Sequence, residues 1–168
     1  MGLQPERSVQ RKKAVCRVTL KVHADSGKQE DIVMNKLKEL LQKDYVILDG
    51  GMGTMLQAAG MKMGETPEML NITEPELLIS IHEQYLKAGA DIIYANTFGG
   101  NRYKLEECGH SVDELVTAGI KNAKKACANV NPRALVALDV GPIGQLLEPT
   151  GTLSFEEAYE MYAEIVKA

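Results

Sequence analysis

Three polar residues each close a short apolar run: Asp49 after Tyr45-Val-Ile-Leu, Asn96 after Asp91-Ile-Ile-Tyr-Ala, and Asp139 after Ala134-Leu-Val-Ala-Leu. Turn-forming residues follow each of them, in Gly50-Gly-Met-Gly-Thr54, Thr97-Phe-Gly-Gly100 and Val140-Gly-Pro-Ile-Gly144. A carboxylate in such a place can hold an ammonium group or a cation, and glycines let backbone N–H groups approach an anion closely. The Asp49–Thr54 segment alone is neither a P-loop nor a dinucleotide fingerprint. On this segment alone a tight turn capped by Asp49 is the favoured reading. A divalent-metal lyase using Asp49 and Asp139 as ligands is a weaker reading, because two aspartates on separate strands are too common to define one.

Thiol chemistry is the other possibility, and the cysteines do not favour it. Cys16, Cys108 and Cys127 are odd in number and lie 92 and 19 residues apart, a spacing unlike a local zinc motif. They read as reduced thiols, none of them a metal ligand, with Cys127 a small core residue inside a helical stretch.

The elements that must position these residues alternate. The three apolar runs are short enough for strands buried on both faces of a parallel sheet. Between them lie helical patterns. Thr73-Glu-Pro-Glu76 reads as a capping box opening a helix with Leu77, Leu78, Ile81, Tyr85 and Ala88 on one face, stopped at Gly89. Ser111-Val-Asp-Glu114 opens a second helix running to about Ala128. Ser154-Phe-Glu-Glu157 opens a third, with Phe155, Ala158, Tyr162 and Ile165 inward. His82 sits at the edge of the first stripe and reads as a partly buried structural histidine. Such alternation predicts an α/β fold with right-handed crossovers, either an open doubly wound sheet or a barrel. Asp49, Asn96 and Asp139 recur about one βα unit apart, which would place them on a common rim and favours the barrel, whose active sites sit there. Three strands in 168 residues fall short of a full (β/α)8 barrel of roughly 250 residues. The chain therefore reads as the N-terminal part of one, the barrel incomplete.

Composition narrows the function. Apolar residues make up 45% and charged residues 25%, as in ordinary globular domains, and no apolar run is long enough to span a bilayer. Residues 1–33 carry seven Lys/Arg and four Asp/Glu, leaving twelve basic and nineteen acidic residues in 34–168. An acidic body argues against a nucleic-acid surface, which needs clustered Lys/Arg. Gln4–Lys13 is polar and basic and Ala14–His23 alternates loosely like a weak strand. No secretory apolar core follows, and two serines among acidic residues do not suit a transit peptide. Residues 1–33 are thus read as a disordered or non-native extension. A helix is expected from Met34, the domain occupies 34–168, and a cytoplasmic location is expected.

The ordered series Asp49-Gly-Gly-Met-Gly-Thr54, Leu70-Asn-Ile-Thr-Glu-Pro75, Ile81-His…Tyr85…Ala88-Gly-Ala-Asp91, Asn96-Thr-Phe-Gly99 and Gly141-Pro-Ile-Gly144 resembles the homocysteine S-methyltransferase family. Within it the series is most similar to the N-terminal homocysteine-binding domain of cobalamin-dependent methionine synthases. The resemblance spans 34–168 almost continuously. It implies a TIM barrel and methyl transfer from methylcobalamin to homocysteine, giving methionine. It implies zinc on three cysteine thiolates taking the substrate sulfur as fourth ligand, since a thiol attacks as thiolate and a bound zinc deprotonates it.

By that resemblance Asp49 helps hold the substrate amino group, and Gly50, Gly51 and Thr54 line the pocket, with main-chain N–H groups for the substrate carboxylate. Two readings stand for Asn96 and Thr97: pocket wall, or hydrogen bonds that cap the loop. Asp139 and Gly141 likewise either face the site or shape the third loop. The family's zinc cysteines and its later-strand glutamate have no counterpart here. The expectation is then half a substrate pocket, neither zinc nor cobalamin bound to this chain, and no activity alone. Its expected partners are the missing C-terminal half of the barrel and the folate and cobalamin modules. Two alternatives remain: a cobalamin-independent relative using betaine or S-methylmethionine, and a non-catalytic α/β domain binding a small anion or acting as a scaffold.

Overall fold

The computed structural model describes residues 27–168. The basic stretch Gln4–Lys13, the strand-like Ala14–His23 and Cys16 lie outside the described residues. In chain order the elements are α1 (Gly27–Leu40), α2 (Met52–Ala58), a 3-10 turn (Pro67–Met69), α3 (Leu70–Thr73), α4 (Pro75–Lys87), β1 (Ile92–Tyr94), α5 (Val112–Val130), β2 (Leu135–Ala137) and α6 (Phe155–Lys167). The first helix begins at Gly27, ahead of the expected Met34, and runs unbroken across that position.

The strands are parallel, as the alternation predicts, but shorter than the apolar runs. β1 pairs with β2 in the register Ile92–Leu135, Ile93–Val136 and Tyr94–Ala137. The first run joins only through a parallel bridge of Leu48 with Ile92. Asp91 and Ile92 both donate backbone N–H bonds to Ile47, at 2.7 and 3.2 Å, and Asp49 returns one to Ile92 at 3.1 Å. Ile92–Tyr94 therefore runs between the other two segments.

Burial of β1 is one-sided and β2 is only partly buried throughout, which corrects the expectation of strands covered on both faces. Ile93 is fully buried against Ile79 and Leu86 of α4 and Ala123, Ala126 and Cys127 of α5, whereas Tyr94 points to the other face and is exposed. Alanines at 123 and 126 allow α4 and α5 to approach closely over the sheet. Leu56 of α2 packs on Leu78 and Ile81, and Val112, Leu115 and Val116 of α5 pack on Ile165 of α6.

Capping boxes form at Ser111 and Ser154, each hydroxyl accepting from the amide three residues on, where a glutamate reaches back to the cap amide. The expected box at Thr73 does not form. Thr73 belongs to the preceding turn, where its hydroxyl donates to the Met69 carbonyl at 3.2 Å, and Glu74 caps α4 without a side-chain bond. Gly89 follows α4 with φ of +106°, the left-handed conformation a glycine stop provides. On α6 only part of the expected face is inward: Ala158 and Ile165 are buried, while Phe155 is 68% exposed and Tyr162 is 36% exposed. No described helix is long and apolar enough to cross a membrane.

Candidate functional site

The C-terminal ends of the three parallel segments converge on one cavity of about 540 Å³, lined by Asp49, Gly50, Gly51, Asn96, Thr97 and Asp139 together with Glu68, Tyr94, Phe98 and Lys104. That volume is within the usual range for small-molecule pockets. Six of the eight residues singled out from sequence thus share one space. Thr54 and Gly141 stand outside the lining and act on it indirectly. The Thr54 hydroxyl donates to the Gly51 carbonyl at 2.9 Å and fixes the glycine turn. The Gly141 amide donates to the Phe98 carbonyl at 3.0 Å, and a Cβ at 141 would run into that carbonyl and the Phe98 ring. Glycine there is what lets the second and third loops touch.

Asp49 is the centre of the electrostatics. Its Oδ2 accepts from the Tyr94 amide at 3.1 Å. Its Oδ1 is buried with no partner among the described residues. Burial raises its pKa from 3.8 to about 6, eased by the amide bonds from Tyr94 and its own residue, with the nearby Asp139 pushing slightly further upward. Burial also raises Asp139. Two carboxylates that both resist ionisation line one cavity, and one of them has an oxygen with no hydrogen-bond donor, so the place suits a positively charged donor.

Asn96 and Thr97 face the cavity but spend their polar groups on the frame. The Asn96 amide donates to the Pro67 carbonyl at 2.8 Å and to Asn71 Oδ1 at 3.0 Å. Thr97 Oγ1 donates to the Asp139 carbonyl at 2.9 Å and accepts from its amide at 3.1 Å. They tie the second loop to its neighbours. Asn71 is the hub: its amide donates to the Asn96 and Leu115 carbonyls, and its own carbonyl accepts from Asn122.

The sequence reading passed over Glu68. It is 3% exposed, lines the cavity, and accepts from the Gly99 amide at 2.5 Å. A charged residue beside Pro67 in an aperiodic stretch carries no burial signal; only the fold brings it beneath Gly99. Lys104, in the irregular stretch before α5, was missed for the same reason, whereas Tyr94 and Phe98 lie in an apolar run and its turn, which do not say which side chains meet a cavity.

Among the described residues no three His, Cys, Asp or Glu side chains converge as a metal centre. Cys127 is packed in the helix–sheet core and Cys108 is half-buried against a different cluster. The described residues therefore do not fit a thiolate zinc site.

The chain is a mixed α/β protein with parallel strands and a cavity at their C-terminal ends, and sequence comparison gives it a family. The chain belongs to the homocysteine S-methyltransferase family, whose model matches residues 46–168. Methionine synthases from Mycobacterium tuberculosis (strain ATCC 25618 / H37Rv) and Mycobacterium leprae (strain TN) are each 41% identical to it over 71 residues, 39% of this chain and 6% of theirs. The metallated crystal structure of the homocysteine methyltransferase MmuM from Escherichia coli superposes with a TM-score of 0.57 at 29% identity, covering 66% of this chain and 42% of that one. Its apo form gives the same TM-score at 26% identity, covering 79% and 47%. The chain thus spans under half of the solved relatives and a small part of the curated ones.

Proposed function

We propose that this chain is the N-terminal half of a (β/α)8 barrel that binds homocysteine for S-methylation to methionine, with methylcobalamin as donor in the full-length protein. The observation that carries the reading is the pair Asp49 and Asp139 lining one cavity, with one Asp49 carboxylate oxygen left without a donor among the described residues. An α-amino acid offers an ammonium donor to that oxygen, and a charge-assisted hydrogen bond would remove the cost of leaving it bare. Gly50 and Gly51 form the wall beside it, while Asn96 and Thr97 hold the loop that faces it. Fixing the amino-acid end orients the sulfur for in-line attack on a methyl group.

The family relationship supports the reaction class, the methionine synthase relatives support methionine as the product, and the exposed face of β1 agrees with an inner face that further strands would close. Residues 34–168 form the domain on this reading and residues 1–33 an extension ahead of it, with α1 straddling the boundary. The location is cytoplasmic. Zinc, folate and cobalamin sites belong to other parts of the full-length protein. Methyl transfer by this chain alone is accordingly not expected.

Calorimetric titration of L-homocysteine into the chain tests this. Saturable binding is expected, weakened roughly tenfold or more in Asp49→Asn, where a carboxylate–ammonium pair becomes a neutral contact. Equal binding by both proteins, or none by either, would contradict the proposal.

A further inference from the structure

Of the charged side chains that line the cavity, four are acidic, Asp49, Glu65, Glu68 and Asp139, and one is basic, Lys104. Nearby acids already have donors: Glu65 Oε2 accepts from the Lys62 amide at 2.9 Å and Glu68 Oε1 from Gly99. Lys104 enters none of the ion pairs found among the described residues. Its position is nevertheless defined. Its amide donates at 3.1 Å to Oδ1 of Asn101, which is 1% exposed, so the turn carrying it is anchored in the interior. Its Nζ stands 5.4 Å from the centroid of the Phe98 ring, itself a wall of the cavity, a cation–π distance. Gly144, with φ of +100°, lies beside the lysine stem: a Cβ there would rest in ordinary contact with Lys104 Cε at 3.5 Å.

The glycine turn is poorly equipped to supply the missing positive charge. The helix it opens, α2, has only seven residues, too short for a strong macrodipole. The cavity thus has an acidic end at Asp49 and Asp139 and one cation over Phe98.

We infer that Lys104 binds the α-carboxylate of the amino-acid substrate and makes the site selective for zwitterions over simple amine thiols. The assignment rests on the proposed homocysteine site and adds a charged carboxylate ligand to the turn's amides. Lys104 Nζ donates to the carboxylate while Asp49 accepts from the ammonium, and Phe98 keeps the lysine head over the cavity when the site is empty.

The test uses the whole 168-residue chain, the variants Lys104→Met and Lys104→Arg, and two ligands: L-homocysteine and its decarboxylated analogue homocysteamine. Lys104 is exposed, so neither substitution threatens the fold. Lys104→Met should weaken L-homocysteine roughly fivefold, leave homocysteamine unchanged, and so erase the preference between them. Lys104→Arg should keep L-homocysteine within about twofold. Unchanged L-homocysteine affinity in Lys104→Met, or an equal loss for both ligands, would overturn the assignment while leaving the homocysteine site standing. Failure of the unaltered chain to bind either ligand would overturn both.

Discussion

At the scale of single residues, the same carboxylate that serves binding weakens the fold. Asp49 holds its proton more tightly in the folded chain, up to about pH 6, than the ordinary 3.8 of an unstructured one. The folded state binds the extra proton between those values, so stability falls as pH rises through that window and stays reduced above it. Asp49→Asn should therefore raise thermal stability above pH 6 by about 1 kcal/mol, discounted because the side chain is only partly buried, and not below pH 4. Homocysteine affinity of the unaltered chain should move the other way and grow as pH rises through about 6, when Asp49 ionises. Melting curves and titrations across that range read both.

His82 has the opposite sign. It is fully buried with neither ring nitrogen bonded, and burial lowers its pKa from 6.5 to about 4. Its neutral form suits the fold, so its contribution is complete above 6.5 and is lost as pH falls toward 4, by up to about 3 kcal/mol. His82→Leu should flatten that loss in denaturant unfolding between about pH 7 and 4.5. A loss as steep as in the unaltered chain would show that another group titrates. Sequence alone gave Asp49 its place, because a polar residue ending an apolar run has a direction. It gave His82 only an edge position, since a stripe fixes the face of a helix and says nothing of how deep its border lies.

Among the elements, close contact between loops is what shapes the site. Gly141→Ala would push a methyl into the Phe98 carbonyl and ring, at a cost of about 1–3 kcal/mol and a displaced Phe98 wall. A lowered melting temperature together with weakened homocysteine binding is the expected pair of results; a lowered melting temperature with intact binding would mean that Phe98 is not part of the site. The helix starts at Ser111 and Ser154 were legible because a capping box is a local device, complete within four residues. The same spelling at Thr73 misled, because α3 extends through Thr73 and spends its hydroxyl on Met69 before α4 begins. Strand lengths were overread for a related reason: an apolar run records burial, whereas a ladder lasts only while neighbours remain in register. Glu68 and Asn71 had no local signature at all, being polar residues whose partners lie 25 or more residues away.

Across the whole molecule, the alternation of strands and helices and the gathering of Asp49, Asn96 and Asp139 at one end were both readable from periodicity. Which faces are covered was not. Phe155, Tyr159 and Val166 of α6 are 68%, 66% and 67% exposed, and Leu146 is 65% exposed on the loop before it. An apolar surface of this kind promotes association. The chain by itself should self-associate as its concentration rises, and Phe155→Lys with Val166→Lys should suppress this in sedimentation velocity runs without altering homocysteine binding.

The central claim, that the strand ends form a cup for an amino-acid ammonium, is most directly tested by mapping backbone amide shifts during an L-homocysteine titration. The largest saturable shifts should fall on Tyr94, whose N–H donates to the Asp49 carboxylate, and on Gly50, Gly51 and Gly99 around the same cavity. These shifts should disappear in Asp49→Asn. Shifts centred on other surfaces, or an unchanged map in the variant, would contradict it.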